Sequence, residues 1–336
     1  MPRAMILGLA GPTLSAAEAA FFREADPWGF ILFKRNVASP AQVADLTRAL
    51  RDVVGRDAPI LVDQEGGRVQ RLGPPHWATH PPAAAYDRLP LPMEEKLALC
   101  RLGARLIAAE LAQVGIDVDC LPCLDVPVPG ADAIIGDRAY ADDPARVARF
   151  GRAAAQGLLD EGVLPVIKHL PGHGRAGVDS HEALPVVEVS QEELEGSDFA
   201  PFVALADMPL AMTAHVVYTA FDAHAPATHS PRIVAEVIRG LIGFDGLLMT
   251  DDLGMHALGG PFGERAAKAL AAGCDVALHC SGDMGEMKAV AAVAPVLAGE
   301  AARRAEAALA ARRRRAEPLD LVDARARRDA ALATLA

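Results

Sequence analysis

The chain is poor in several residue classes, and each shortage excludes a class of protein. Aromatic residues make up only 4% of the 336 residues, so aliphatic side chains must fill most of the core. The cysteines number only five, and a number that is both small and odd does not indicate a disulfide framework. The formal net charge of -11 lacks the basic excess that a nucleic-acid-binding protein needs. We therefore expect no nucleic-acid partner.

Long hydrophobic runs are also missing. A membrane-spanning helix needs about 20 apolar residues, and no run in the sequence approaches that length. The apolar stretch from Met5 to Leu9 is too short for a signal peptide. We expect a cytoplasmic protein with no membrane partner. The one basic run, Arg312–Arg315, lies in an Ala- and Arg-rich stretch and is interpreted as part of a solvated helix.

Two of the cysteines, Cys120 and Cys123, form a C-x-x-C pattern. A zinc site or a redox centre needs further ligands or a suitable fold around such a pair, and no second C-x-x-C follows in the sequence. We interpret the pair as packing residues, with a metal or redox role as the weaker alternative.

Eight short apolar runs alternate with helical patterns along the chain. Their nearly continuous hydrophobicity is typical of strands that are buried on both faces. The runs are Met5–Leu9, Gly29–Phe33, Pro59–Val62, Ile116–Leu121, Leu164–Ile167, Leu210–Thr213, Gly246–Thr250 and Cys274–Cys280. Ser15–Glu18 has the form of a capping box, and Ser39 and Ser230 each precede a proline that can begin a helix.

This alternation predicts an α/β protein with a single (β/α)8 barrel of the TIM type. A doubly wound open sheet is the main competitor, but Gly8–Gly11 does not complete its Gly-rich phosphate loop. We predict that residues 1–336 form one catalytic domain, with the C-terminal helices packed on the barrel.

Ionisable residues follow five of the eight runs. Catalytic groups of an α/β barrel emerge where the strands end, so these side chains are expected around one site. They are Asp63 and Glu65, Asp125, Lys168 and His169, His215, and Asp251 and Asp252.

The segment after the fifth run, Lys168–His181, contains three histidines and Asp179. Pro171 and Gly172 mark it as a loop. Asp179 and His181 are two residues apart, so in an extended segment they face the same side. The carboxylate can then hold one ring nitrogen and leave the other free for proton transfer. On spacing alone, a loop that is merely stabilised by polar contacts is equally well supported.

Several motifs follow one another along the chain. K-H-x-P-G-H-G begins at Lys168, D-S-H at Asp179 and T-D-D-L-x-M at Thr250, and the segments Gly29–Asn36, Asp63–Arg71 and Ile135–Tyr140 precede them. In sequence and in order these motifs resemble glycoside hydrolase family 3, and within it the β-N-acetylglucosaminidases of bacterial cell-wall recycling. Leu170 and Gly254 depart from the pattern, where phenylalanine and serine are common.

The resemblance implies a retaining exo-β-N-acetylglucosaminidase that acts on muropeptide fragments in peptidoglycan recycling. It assigns the nucleophile to Asp251, the general acid/base to His181 and the partner of that histidine to Asp179. Residues that hold the sugar would be Asp63, Arg71, Arg138, Lys168 and His169. It implies no cofactor and no metal, and a monomer is possible. An imidazole acid/base departs from the usual retaining pair of two carboxylates about 5–5.5 Å apart.

Three alternatives stay open at this stage. A metal-dependent barrel hydrolase would gather His169, His173, His181, His215 and Asp251 around zinc. A binding protein without turnover would keep the sugar site alone. A phosphorylase would use phosphate instead of water, since a neutral histidine does not repel an attacking anion.

Overall fold

Eight parallel strands form one nearly closed sheet, and they lie side by side in chain order. The computed structural model describes residues 1–312 and 318–335. The strands are β1 Arg3–Leu7, β2 Pro27–Leu32, β3 Ile60–Val62, β4 Val118–Asp119, β5 Leu164–Leu170, β6 Leu210–Thr213, β7 Leu247–Met249 and β8 Ala277–His279. β8 pairs with β1, and a parallel bridge between Met249 and Val276 links β7 to the segment before β8. The predicted (β/α)8 barrel is therefore confirmed, with strand ends that differ from the apolar runs by a few residues.

Helices connect the strands and surround the sheet. The α-helices are α1 Ala16–Ala25, α2 Pro40–Val54, α3 Ala84–Arg88, α4 Met93–Gln113, α5 Pro144–Asp160, α6 Gln191–Gly196, α7 Ala200–Ala204, α8 Phe262–Ala272, α9 Met284–Val293, α10 Gly299–Arg312 and α11 Leu321–Leu332. A π-helix spans Ile233–Leu241. Ser15 and Glu18 form the predicted capping box, and Ser39 caps α2 ahead of its first-turn proline.

Two short strand pairs lie outside the barrel and shape its loops. Gln64–Gly66 pairs antiparallel with Val69–Gln70 directly after β3. Val186–Val187 pairs in parallel with Val217–Tyr218, which connects the loop after β5 to the loop after β6.

The barrel interior is filled by alternate residues of the strands. One buried cluster takes side chains from all eight of them, among them Ile6, Trp28, Leu61 and Met249. Their neighbours in sequence, such as Met5 and Leu7, point to the surrounding helices and join a second cluster. This alternation of inner and outer packing explains why the strands are hydrophobic at nearly every position.

The interpretation of Arg312–Arg315 as a solvated helix is wrong for its first residue. Arg312 ends α10 with a side chain that is only 8% exposed. Its guanidinium contacts the carboxylates of Asp57 and Asp117, which lie beside the start of β3 and β4. Arg313, Arg314 and Arg315 lie outside the described residues.

None of the helices in residues 1–312 and 318–335 combines the length and the apolar character needed to cross a membrane.

Candidate active site

A cavity of about 300 Å³ opens at the carboxyl ends of the strands. It brings together residues that are far apart in sequence and that follow different strands. Of the predicted site residues, Asp63, Arg71, Arg138, Lys168, His169, His181 and Asp251 line this cavity. Asp179 does not line the cavity, but it contacts His181, which does. The clustering expected at this rim of the barrel is therefore present.

Buried opposite charges form one wall of the cavity. The Lys168 ammonium lies 3.0 Å from Asp63 and 2.6 Å from Glu65. Arg71 donates to the other oxygen of Asp63 at 2.9 Å. Arg138 binds Glu65 through two parallel hydrogen bonds of 2.8 Å, a geometry that fixes its guanidinium plane. The four predicted sugar-holding residues of this wall are thus held by one another and by Glu65.

These charges stay fixed near neutral pH. Burial raises the pKa of Asp63, but the Lys168 and Arg71 charges lower it more, so the net pKa lies well below the usual range. Burial likewise raises the pKa of Glu65, and Arg138 and Lys168 lower it further, to about 2. The two carboxylates in turn raise the pKa of Lys168 above its usual value, against the effect of its burial.

Glu65 is a site residue whose role the sequence did not indicate. Its position after β3 marked it as ionisable, but the partners Lys168 and Arg138 come from two other parts of the chain. The signal that was available is its spacing from Asp63, which places both carboxylates on one side of an extended segment.

His169 extends from the charged wall toward Asp251. Its Nδ1 lies 2.6 Å from the buried carboxylate of Asp125, and its Nε2 lies 4.0 Å from a carboxylate oxygen of Asp251. Burial raises the pKa of Asp125, while the His169 and His173 contacts lower it more, to well below the usual range. Asp125 is therefore an ionised support that orients the His169 ring, a role that its position in the sequence did not indicate.

The two adjacent aspartates after β7 have different environments. Asp251 accepts a hydrogen bond from the backbone amide of Asp252 at 2.8 Å. Burial raises the pKa of Asp251, but His169 and His215 lower it more, so the carboxylate stays ionised in the cavity. Asp252 accepts from the amides of Gly254 and Cys280 and so ties the end of β7 to the end of β8. Asp252 is therefore a hydrogen-bonding support between these two strand ends.

Gly254 gives the Asp252 carboxylate its space. A Cβ atom at position 254 would lie 2.9 Å from Oδ2 of Asp252, which is closer than van der Waals contact allows. The departure from serine at this position therefore affects the supporting aspartate and leaves Asp251 untouched.

Asp179 and His181 form the contact that their spacing suggested. The carboxylate of Asp179 lies 2.8 Å from His181 Nδ1 and also accepts the His181 backbone amide. Burial raises the pKa of Asp179, but these bonds from His181 lower it more, which keeps Asp179 ionised. The His181 side chain is 63% exposed, so its Nε2 side is open for proton transfer at the cavity. The structure thus shows an imidazole oriented by a carboxylate, and its role as an acid/base stays a prediction.

His215, the candidate after β6, is a buried support beneath the site. Its ring nitrogens lie 2.7 Å from the Thr228 hydroxyl and 3.0 Å from the Asp252 carbonyl oxygen. Burial lowers the pKa of His215 below its usual value.

In the described part of the chain, the zinc ligands of the metal-dependent alternative do not come together as one site. His181 binds Asp179, and both nitrogens of His215 have other partners. One group of potential ligand atoms does come together there, from Cys123, Asp125 and His169, within 4.8 Å of one another. The Cys123 thiol donates to Asp125 at 3.2 Å, so this cysteine contributes more than the packing predicted for the C-x-x-C. Asp125 already serves His169 and two backbone amides, which fits an orienting residue better than a metal ligand.

Comparisons with known proteins agree with the motifs. The Glycosyl hydrolase family 3 N terminal domain matches residues 13–315. A beta-hexosaminidase of Alkalilimnicola ehrlichii is 40% identical over 284 residues, which cover 82% of this chain and 80% of that protein. A beta-hexosaminidase of Methylococcus capsulatus is 42% identical over 277 residues, covering 81% of each. The structure of NagZ from Neisseria gonorrhoeae in complex with N-trifluoroacetyl-D-glucosamine is 30% identical, with a TM-score of 0.84 over 99% of this chain and 97% of that one.

Proposed function

The chain belongs to glycosyl hydrolase family 3, as its motifs indicated, and from this premise we propose that it is a retaining exo-β-N-acetylglucosaminidase. Its activity as a β-N-acetylhexosaminidase follows from relatives at about 40% identity over most of their length. Beyond this activity, we propose the stereochemical course of the reaction, the residues that react and the natural substrate.

One observation carries the mechanism: an ionised Asp251 and an aspartate-oriented His181 line the same cavity. A retaining glycosidase needs a carboxylate nucleophile on one side of the sugar and a proton donor on the side of the leaving group. Fixed donors and acceptors for the sugar hydroxyls come from Lys168, Asp63, Arg71 and Arg138. His169, held by Asp125, would complete the grip beside Asp251.

In the first step, a carboxylate oxygen of Asp251 attacks the anomeric carbon. The bond from that carbon to the glycosidic oxygen breaks, and its electron pair moves to the oxygen. Protonated His181 gives its Nε2 proton to this oxygen, which leaves as an alcohol. The Asp179 carboxylate at Nδ1 stabilises the imidazolium before the transfer. The products of the step are a glycosyl ester of Asp251 and a neutral His181.

In the second step, His181 takes a proton from water as the water oxygen attacks the anomeric carbon. The ester bond breaks, its electron pair returns to Asp251, and His181 is again protonated. Two displacements at one carbon give net retention of configuration. A histidine serves both directions because imidazole accepts and donates protons near neutral pH.

The substrate proposal rests on the relatives. The related proteins are hexosaminidases, and the gonococcal NagZ structure holds an N-acylated glucosamine. We extend this to terminal β-linked N-acetylglucosamine on muropeptide fragments, taken up for peptidoglycan recycling in the cytoplasm. The catalytic unit would comprise residues 1–336, act without a cofactor, and be able to work as a monomer. Burial of Arg328 from α11 against His80 supports one unit that includes the C-terminal helix.

A 2-fluoro glycoside with a good leaving group tests this proposal. Fluorine slows both steps, and the leaving group restores the first, so the glycosyl-enzyme accumulates. We expect a mass increase of one fluorosugar on the peptide that contains Asp251, and none in Asp251→Ala. Labelling of another residue, or no labelling together with inverted product, would contradict the mechanism. Product analysis with added phosphate separates the phosphorylase alternative, which requires sugar 1-phosphate as the main product.

A further inference from the structure

The loop that carries Asp179 and His181 has a buried anchor between its two reactive residues. Ser180 is 3% exposed, whereas the His181 side chain is 63% exposed. The Ser180 hydroxyl lies 3.1 Å from Nε2 of His173, which is 4% exposed and lines the same cavity. Because Ser180 is the residue between Asp179 and His181 in the chain, any contact that fixes it also fixes their positions.

Packing alone does not explain a histidine at position 173. Its Nδ1 is buried and has no hydrogen-bond partner among residues 1–312 and 318–335. An apolar ring of similar size would avoid this unsatisfied nitrogen, since a buried polar atom without a partner costs stability. What the imidazole adds is the bond from Nε2 to Ser180.

The contact also connects the two halves of the site. The backbone amide of His173 donates to Asp125 at 2.6 Å, and Asp125 holds His169 beside Asp251. On the other side, the Ser180 carbonyl accepts the amide of Ala257, which lies in the segment that follows Asp251. Ser180 is therefore bound both to the sugar-holding side and to the nucleophile side.

We propose that His173 is a positioning residue, which acts through the Ser180 hydroxyl to hold the Asp179–His181 pair in place for proton transfer. This inference rests on the proposed function, since it assumes that His181 is the acid/base. His173 does not itself exchange the proton. Burial, followed by the nearby His169, lowers the pKa of His173 to about 4, so its ring is neutral at working pH.

The first variants remove the contact from either end. Ser180→Ala deletes the hydroxyl, and His173→Phe fills the same space without a ring nitrogen. We expect each to lower kcat on a disaccharide substrate by about 10²-fold, the usual effect of misplacing a catalytic group by about 1 Å. KM should change little, because the sugar-holding residues are untouched. The double variant should be no slower than the slower single variant, since both remove one contact.

The rate of turnover with added azide distinguishes a positioning role from a merely structural one. Azide attacks the anomeric carbon of the glycosyl-enzyme without giving up a proton, so it needs no general base, and it releases Asp251 as a glycosyl azide forms. With an activated aryl glycoside, azide should accelerate His181→Ala, Ser180→Ala and His173→Phe. His173→Gln, which can place an amide near the Nε2 position, should recover part of the activity and respond less.

Ser281→Ala is the matched control. Its hydroxyl also contacts a buried histidine, at 3.0 Å from His279 Nε2, but lies outside the catalytic loop. We expect nearly parental activity and no acceleration by azide. Thermal melting checks that each variant is folded. If His173→Phe does not fold, the kinetics of Ser180→Ala alone decide whether the contact positions the pair.

The outcomes separate the two proposals. Acceleration of His181→Ala but not of Ser180→Ala overturns the positioning role and leaves the acid/base assignment standing. If His181→Ala itself shows no acceleration and no loss on poor leaving groups, the acid/base assignment fails and the positioning role fails with it. Acceleration of all three variants, with the control unchanged, supports both.

Discussion

The Lys168 ammonium lies 2.6 Å from a carboxylate oxygen of Glu65, and both side chains are almost completely buried. A charge taken out of water is costly unless it is paired and hydrogen-bonded. Here each of the two has a second partner, Asp63 for Lys168 and Arg138 for Glu65. The four side chains, together with Arg71 on Asp63, therefore form a set of paired charges that is fixed in the wall of the cavity.

Glu65→Gln tests this set. Arg138 would lose its carboxylate partner, and Lys168 would retain Asp63 alone. Breaking a buried pair from one side typically costs about 3–5 kcal/mol, and we expect a loss of that order in urea unfolding, with reduced kcat/KM. Glu94→Gln is the control, because Glu94 pairs with Arg149 at the surface and is 83% exposed. Such pairs contribute at most about 1 kcal/mol. A loss below that value for Glu65→Gln would contradict the role of the set.

The same charges predict how stability depends on acidity. Asp63 and Glu65 have a lower pKa in the folded protein than in the unfolded chain, because Lys168, Arg71 and Arg138 outweigh the effect of burial. Their stabilisation is fully present above the unfolded pKa and is lost as the pH falls through the folded pKa. We expect the free energy of unfolding to decline from about pH 5 towards pH 2.

In Asp63→Asn this acid-dependent decline should be shallower, while stability at pH 7 should be lower. Asp45→Asn is the control, since Asp45 is an exposed partner of Arg48. Urea unfolding across the pH range measures both slopes. An unchanged slope in Asp63→Asn would show that other groups govern the acid response.

Most of the fold was predictable because the signal is local. A strand buried on both faces must be apolar along its length, so eight short runs were enough to indicate a barrel. The strand ends then located Asp63, Lys168 and Asp251, since a barrel brings those ends to one rim. The roles predicted for these residues came from the family motifs, because residue spacing does not distinguish a nucleophile from a support.

What the sequence did not indicate are pairings between distant segments. Glu65 meets Arg138, and Asp125 meets His169, across 73 and 44 residues. Arg312 was interpreted as solvated, although Asp117 lies 195 residues before it in the chain. Charge partners of this kind depend on where helices and strand ends are placed in three dimensions, which local patterns do not specify.

Asp125→Asn should impair the enzyme more than the small chemical change suggests. An amide cannot hold His169 Nδ1 and the two backbone amides as the ionised carboxylate does. We expect the His169 ring to lose its fixed orientation and kcat/KM to fall by about 10²-fold, as for other small misplacements near a reacting centre. Steady-state kinetics with a chromogenic N-acetyl-β-glucosaminide provides the measurement.

Asp119→Asn is the matched control for that substitution. Asp119 is equally buried at the end of β4, where burial raises its pKa well above the usual value and its Oδ1 accepts the backbone amide of Gln64. Asparagine keeps an oxygen for that amide, and we expect nearly parental kinetics. Equal losses in the two variants would mean that Asp125 serves packing and does not orient His169.

Removal of metal ions should leave turnover unchanged. Asp125 binds His169 and backbone amides, so the group formed with Cys123 has no carboxylate that is free to take a cation. Prolonged dialysis against a chelator, followed by assay with and without added zinc, checks this. Loss of activity with the chelator and recovery with zinc would restore the metal-dependent alternative.

Asp251→Ala should abolish turnover, and comparison with Asp252→Ala separates the two adjacent aspartates. Without the Asp251 carboxylate no glycosyl-enzyme can form, and we expect kcat to fall by at least about 10³-fold. Asp252 holds the amides of Gly254 and Cys280, so its loss should lower thermal stability and reduce activity more modestly. Added azide can restore turnover in Asp251→Ala by attacking the substrate directly, which would give a glycosyl azide of inverted configuration. Near-normal activity in Asp251→Ala, or an inverted azide product from Asp252→Ala instead, would remove Asp251 from the nucleophile role.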